Sequence, residues 1–298
     1  MSAEIKAPKY PILDEIEVPA KVIENWQVTI DLLAEIAGIP AALIMRVHTR
    51  EIEVFLSSHS PGNVYHHGEK APLDTGLYCE TVMSTQRKLV VPDALKDPDW
   101  NDNPDIKLGM ISYCGLPLTW PNGELYGTIC ILDKKENAFT QQTHHLIDRF
   151  RDSIQLSLAN IYDASKELWA SEESYRILFR EMQNGFAHSE IICDAQGRPI
   201  NSRYLAVNPA FERITGRKAE EVVGKTILEV FPALEPRWIE TFGRVALTGE
   251  PAHFENHAAE LGITFDMSAF RPAPNQYACT FTDITERKRA EEAMRQQS

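Results

Sequence analysis

Between Thr140 and Met182 the chain contains neither proline nor glycine. A run of that length with no helix breaker predicts one long helix. Within it Ile147, Ile154, Ile161, Leu168 and Tyr175 recur every seven residues, and Phe150, Ser157, Ala164, Ser171 and Leu178 follow three places on. An apolar seam of this period belongs to helices that pack lengthwise on another helix. A helix lying along its own domain explains the first turns. It does not explain the continuation past Lys166, where a new domain begins, so we expect a paired helix and a homodimer.

The remainder divides around that helix. With 298 residues the chain has room for about two domains. Residues 1–17 are proline-rich and read as an arm. Val22, Trp26, Ile30, Leu33 and Ala37 keep helical spacing up to Gly38-Ile-Pro40. Strand-like runs follow at Ala42–His48 and Ile52–His59, with a turn at Ser60-Pro-Gly-Asn63. Pro92, Pro98 and Pro104 punctuate Asp74–Lys107, which predicts short helices and loops. Ile111–Trp120 and Glu124–Asp133 form a hairpin closed at Pro121-Asn-Gly123.

Beyond the helix, Ala187–Asp194 alternates weakly and turns at Ala195-Gln-Gly197. Arg203–Val207 leads to Asn208-Pro209, an N-cap followed by proline at the first helical position. Gly216, Gly224, Pro232 and Gly249 cut the next stretch into short helices, and strands are expected at His253–Ala258, Ile263–Phe270 and Tyr277–Asp283. Asp283-Ile-Thr-Glu286 has the spacing of a capping box and predicts a helix over Glu286–Gln297. The expected fold class is α+β: two domains, each an antiparallel sheet flanked by helices, joined by a long helix. The expected boundaries are 18–150, a connecting helix 151–170, 171–285, and a terminal helix from 286.

Charge and cysteine content narrow the function. The net charge is −13, with 15 basic against 24 acidic residues up to Ala170 and 15 against 19 after it. Neither half carries the basic excess that nucleic-acid binding draws on. No apolar run approaches a membrane span, and the N-terminus lacks the apolar core of a secretion signal. Five cysteines, none in a C-x-x-C pair, fit a reducing cytoplasm.

Two families emerge at particular motifs. Leu77-Tyr-Cys-Glu-Thr-Val-Met-Ser-Thr85, Asn103–Tyr113, Gly115-Leu-Pro-Leu118 and Tyr126-Gly-Thr-Ile-Cys-Ile-Leu132 give residues 20–165 a resemblance to GAF domains. Asn208-Pro-Ala-Phe-Glu-Arg-Ile-Thr-Gly216, Val223-Gly-Lys225 and Phe281–Lys288 make residues 171–287 resemble PAS domains. The pairing is similar to the sensory modules of bacterial signalling proteins. It implies an output such as a histidine kinase or a GGDEF/EAL-type regulator. No kinase H-box, ATP-binding motif or GGDEF-like signature falls within these residues, so we expect no catalytic domain here. The output would then lie beyond Ser298 or in a partner protein.

His66-His67, His144-His145 and His253-x3-His257 lack the further ligands of a zinc site. Asp133-Lys134 and Phe139 match part of a cyclic-nucleotide signature, but Thr143-His144 replace its acidic pair. Asn208-Pro209 stands where light-sensing relatives carry Asn-Cys, and no cysteine has the flanks of a bilin attachment site. The cofactor stays unknown, with no haem, flavin, bilin or metal signature. A GAF relative reduces free methionine sulfoxide with closely grouped cysteines, whereas Cys79, Cys114 and Cys130 are 35 and 16 residues apart.

Two ligand pockets are expected. In the GAF-like half a lid with Tyr78, Cys79, Trp100 and Asn103 would close over Met110, Ser112 and Cys114. In the PAS-like half Phe186, Phe211, Phe231, Trp238, Phe242, Phe265 and Tyr277 would line a pocket for an unidentified small molecule. Plain core packing is the alternative for each of these residues. Ile147, Ile154, Ile161 and Leu168, with Asp283, Thr285 and Glu286 at the terminal helix, would pass the state onward. The competing functions are an adaptor that dimerises without ligand and the cysteine-dependent reductase.

Overall fold

A computed structural model describes residue 13 and residues 16–296. The expected arm therefore lies almost wholly outside the described residues. Ile16 and Val18, at its inner edge, are buried in the first core. The chain divides into two compact units, 1–170 and 171–298.

The first unit is built on a six-stranded antiparallel sheet of order β3-β2-β1-β6-β5-β4. Its strands are β1 (Ala41–Val47), β2 (Glu51–Ser57), β3 (Lys70–Pro72), β4 (Leu89–Val91), β5 (Ser112–Thr119) and β6 (Leu125–Asp133). The predicted hairpin is the β5–β6 pair. The central strands β1 and β6 are buried on both faces, and successive residues supply two separate cores. Ala42, Ile44, Ile129 and Ile131 face one core, which α1 (Ala20–Ala37) joins through Trp26, Ile30 and Leu33. Leu43, Met45, Cys130 and Leu132 face the other, covered by α2 (Tyr78–Thr85) and the segment after it.

Two glycines of the sequence motifs have local reasons. A Cβ on Gly127 would lie 1.8 Å from the Met45 carbonyl oxygen, so β6 can approach β1 there only without a side chain. A Cβ on Gly115 would collide with the Tyr113 ring, which lies over it.

The long helix, α3 (Gln141–Glu181), spans 41 residues. Its two ends meet different surroundings. Ile147, Ile154, Leu158 and Ile161 are buried in the first unit's core, whereas Leu168, Tyr175 and Leu178 are exposed. The heptad positions read as one continuous seam therefore divide: the first three are taken by the domain's own sheet, and Leu168 onward is not. A period of seven does not distinguish a sheet from a second helix as the partner of an apolar stripe.

The second unit carries a five-stranded antiparallel sheet of order β8-β7-β11-β10-β9. The strands are β7 (Gly185–Cys193), β8 (Pro199–Val207), β9 (Ala252–Ala258), β10 (Ile263–Phe270) and β11 (Gln276–Asp283). Three short helices, α4 (Pro209–Thr215), α5 (Ala219–Val222) and α6 (Ile227–Val230), precede α7 (Pro236–Thr248). The Asn208 side chain caps α4 by accepting from the Phe211 amide at 2.9 Å, as predicted from Asn-Pro, and also accepts from Phe186 N at 2.8 Å.

The terminal helix α8 (Thr285–Gln296) starts one residue earlier than expected. Asp283 accepts from Thr285 N at 2.8 Å, one residue short of the Glu286 amide that the predicted box would use. The second tie differs: Thr264 N donates to Thr285 Oγ1 at 2.9 Å, while Glu286 is exposed. Strand β10 offers a free amide at that point, and the Thr285 hydroxyl reaches it where the carboxylate does not.

The division of α3 is testable. Ile154→Ala should lower stability in urea unfolding by about 2–5 kcal/mol, the range for emptying a buried branched side chain. Leu168→Ala, measured at a protein concentration low enough to keep the chain monomeric, should stay within about 0.5 kcal/mol of the parent. Equal losses at the two positions would contradict the division.

Candidate functional site

In the first unit, the face of the sheet covered by α2 holds a cavity of ≈ 350 Å³. Its floor is apolar: Leu43 and Met45 from β1, Ile52 and Val54 from β2, and Leu132 from β6. These positions share a face because strand side chains alternate. The polar lining comes from outside the strand pattern. Tyr65 lies in the β2–β3 loop and Asp105 in a short 3-10 helix, Pro104–Leu108, and the Tyr65 hydroxyl donates to Asp105 Oδ1 at 2.8 Å. This bond ties two loops together across the cavity. Burial pushes the Asp105 carboxyl above the usual carboxylate range, and the Tyr65 hydroxyl offsets part of that shift. Burial also raises the Tyr65 phenol, with the Asp105 charge adding to it.

The expected lid residues fall at different depths. Cys79 lines the cavity. Tyr78 and Met110 are buried in the core on the same side, where Tyr78 stacks on Tyr113 at 4.8 Å and Trp100 tilts against Tyr78 at 5.2 Å. Asn103 acts as a latch: its side chain donates to Gly76 O at 2.8 Å and accepts from Asp105 N at 2.9 Å, so it positions Asp105. The Ser112 hydroxyl lies 2.6 Å from both the Pro92 and the Lys135 carbonyl oxygens, its one proton serving either of them, and holds loops at the sheet edge. Cys114 points to the opposite face, into the core under α1 and α3, with its sulfur 3.7 Å from His144 Nδ1. Tyr113 and Cys114 are neighbours in sequence and therefore face opposite ways on a strand.

Sequence reasoning passed over Tyr65, Asp105 and the floor residues Leu43, Met45 and Val54. The alternation of β1 against β6 carried the signal for the floor. Nothing local marks Tyr65, since its partner lies 40 residues away.

The second unit has a smaller cavity of ≈ 60 Å³. Six of the seven expected aromatics line it: Phe211, Phe231, Trp238, Phe242, Phe265 and Tyr277. Phe186 instead packs edge-on against Phe179 of α3 at 5.3 Å. The rings interlock, with Phe242 stacked on Tyr277 at 4.5 Å and Phe265 edge-on to Phe281 at 5.3 Å. A space of that size is about the liquid volume of two waters. These aromatics form a packed core in this conformation.

Among the described residues, no three His, Cys, Asp or Glu side chains converge as a metal site. Among them too, no helix is long and apolar enough to cross a membrane.

Comparison with known proteins follows the same division. The family model for the GAF domain matches residues 22–158, and that for the PAS fold matches residues 192–289. No curated protein matches the chain. Among solved structures, it is similar to a GAF domain of a two-component sensor histidine kinase from Bacillus halodurans, at 13% identity and TM-score 0.39, covering 52% of this chain and 99% of that one. A GAF domain from an Acinetobacter phosphoenolpyruvate-protein phosphotransferase is 14% identical, with TM-score 0.39, covering 51% and 90%. A type II free methionine-R-sulfoxide reductase from Thermoplasma acidophilum is 13% identical, with TM-score 0.38, covering 47% and 93%.

The buried carboxyl makes stability depend on pH in a defined direction. The folded value of Asp105 lies above the unfolded one, so its contribution is full below the ordinary aspartate range and is lost as pH rises through the folded value. Asp105→Asn should therefore flatten part of the decline in stability above about pH 4. Urea unfolding of both proteins at several pH values reads the difference, and parallel curves would exclude it.

Proposed function

This chain is a GAF domain followed by a PAS-fold domain, and we propose on that premise that it is the sensory input module of a cytoplasmic signal-transduction protein. The GAF cavity binds a small, largely apolar ligand in this reading. The observation that carries it is the ≈ 350 Å³ cavity, apolar on its floor and furnished with Asp105, Tyr65 and Tyr113. Its volume and lining suit a compact ligand oriented by a few polar groups. The Tyr65–Asp105 bond is the element a ligand would open or tighten.

Output would pass through helices. Leu168, Tyr175 and Leu178 on α3 leave an exposed apolar row at heptad spacing, and Val28, Leu32 and Ile36 form another on α1 at intervals of four. A second copy of the chain would cover them. At the other end α8 is held to the sheet by Arg287, 2.7 Å from Glu255, and by Lys288 on the same carboxylate. A kinase or another output domain coupled to α8 would receive the change. Coupling between such sites is typically about 1–3 kcal/mol.

Native mass spectrometry tests the ligand. The purified chain should carry or take up a small molecule, and Val54→Phe, which fills the cavity from its floor, should weaken retention by about tenfold or more. No adduct, or equal retention by the filled variant, would refute the binding site. Light scattering tests the pairing: the parent should be a dimer at micromolar concentration, and Leu168→Asp combined with Ile36→Asp should shift it towards monomer. A monomeric parent would refute the paired helices.

A further inference from the structure

The GAF cavity also brings together two thiols from distant parts of the chain. Cys79 is the second residue of α2 and Cys130 lies on β6, and both line the cavity. Hydrogen-bonding groups converge on the Cys79 sulfur. The Thr128 hydroxyl donates to it at 3.4 Å and the Tyr113 hydroxyl shares a hydrogen bond with it at 3.4 Å, while Cys130 belongs to the same buried cluster and lines the same cavity. The first turn of α2 adds the positive end of a helix dipole, a setting that favours thiolates. Burial and the Asp105 charge oppose ionisation. The hydrogen bonds prevail: led by that from Cys130, they draw the Cys79 thiol below its ordinary value, while Cys130, as the donor, is held well above it.

The other cysteines lack this environment. Cys114 faces the opposite core and is pushed up to about 12 by burial. Cys279 lies inside the second unit and is likewise pushed up to about 12 by burial. Cys193 is half-buried. Cys79 combines hydroxyl hydrogen bonds, a second thiol in the same buried cluster and a cavity that both thiols line.

We propose that Cys79 is a nucleophile towards a small hydroperoxide entering the GAF cavity, with Cys130 as the resolving thiol. The Cys79 thiolate attacks the terminal peroxide oxygen, the O–O bond breaks, and the alkoxide leaves and takes a proton as an alcohol. Cys79 becomes a sulfenic acid. The Cys130 thiol then attacks the Cys79 sulfur, an S–S bond forms, and the sulfenic oxygen leaves as water. In sum, two thiols and one hydroperoxide give one disulfide, one alcohol and one water. Each sulfur gives up one electron, and the O–O bond accepts both. The apolar floor of Leu43, Met45 and Val54 suits an alkyl or aryl peroxide, and the Tyr113 hydroxyl is placed to hydrogen-bond the oxygen that departs.

The test uses the whole chain, reduced and then exposed to cumene hydroperoxide or hydrogen peroxide, with free thiols alkylated in denaturant and the five cysteines quantified by peptide mass spectrometry. The expected product is a Cys79–Cys130 disulfide, formed about tenfold or more faster than thiol is lost at Cys114 or Cys279. Cys130→Ser should stop the reaction at a Cys79 sulfenic acid that dimedone traps. Cys79→Ser should leave Cys130 reduced. Oxidation of Cys193 with Cys79 still reduced, a disulfide between any other pair, or equal rates at Cys79 and Cys114 would overturn the proposal. The rate comparison within the unaltered chain decides the matter even if a variant fails to fold.

Discussion

The central sheet of the GAF unit is buried on both faces, and the rest of that unit follows from this constraint. Each residue step along β1 or β6 transfers a side chain from one core to the other. One face is filled by α1 and the first half of α3, which pack as continuous apolar stripes. The other is covered by α2, a loop and a 3-10 helix, elements too short and irregular to fill the space. The cavity lies on that second face because short elements bring polar side chains and turns where the long helices bring continuous apolar stripes. Gly127 holds the two central strands together where any larger residue would meet the Met45 carbonyl.

The same constraint divides the long helix. Ile147, Ile154 and Ile161 serve the sheet beneath them, and exchanging them for contacts with another chain would open the core. Further along, Leu168, Tyr175 and Leu178 are exposed, while Phe179 packs on Phe186. At the end of the PAS unit, α8 leaves the sheet through backbone and side-chain hydrogen bonds at Asp283 and Thr285. Its Arg287 and Lys288 then meet Glu255, whose carboxyl they hold below the usual range. These are exposed charges, so they steer the helix more than they stabilise it.

Much of the architecture was legible in the order of the residues. Strand runs, the Pro-Asn-Gly hairpin turn, the Asn208-Pro209 helix start and the unbroken helix all reappear in the structure. The PAS aromatics were also legible, because large rings in a small domain have nowhere to go but its centre. Whether they leave room for a ligand was not, since the ≈ 60 Å³ that remains depends on how the rings interlock. The GAF cavity was less legible still. Cys79 was found through its motif, but Tyr65 and Asp105 are brought together from two loops, and Ser112 and Asn103 hold backbone where they were expected to meet ligand.

By itself the sequence determined most of what depends on near neighbours: the period of a helix, the alternation of a strand, the Asn208 cap, a turn, and the family motifs these compose. Contacts between residues far apart were decided only in the tertiary structure. Cys79 meets Cys130 because α2 folds over β6, although 50 residues intervene, and Cys114 is kept from both by the pleat of a single strand. The reason is physical: local preference selects a residue's conformation, but its chemistry depends on which distant groups exclude water from it.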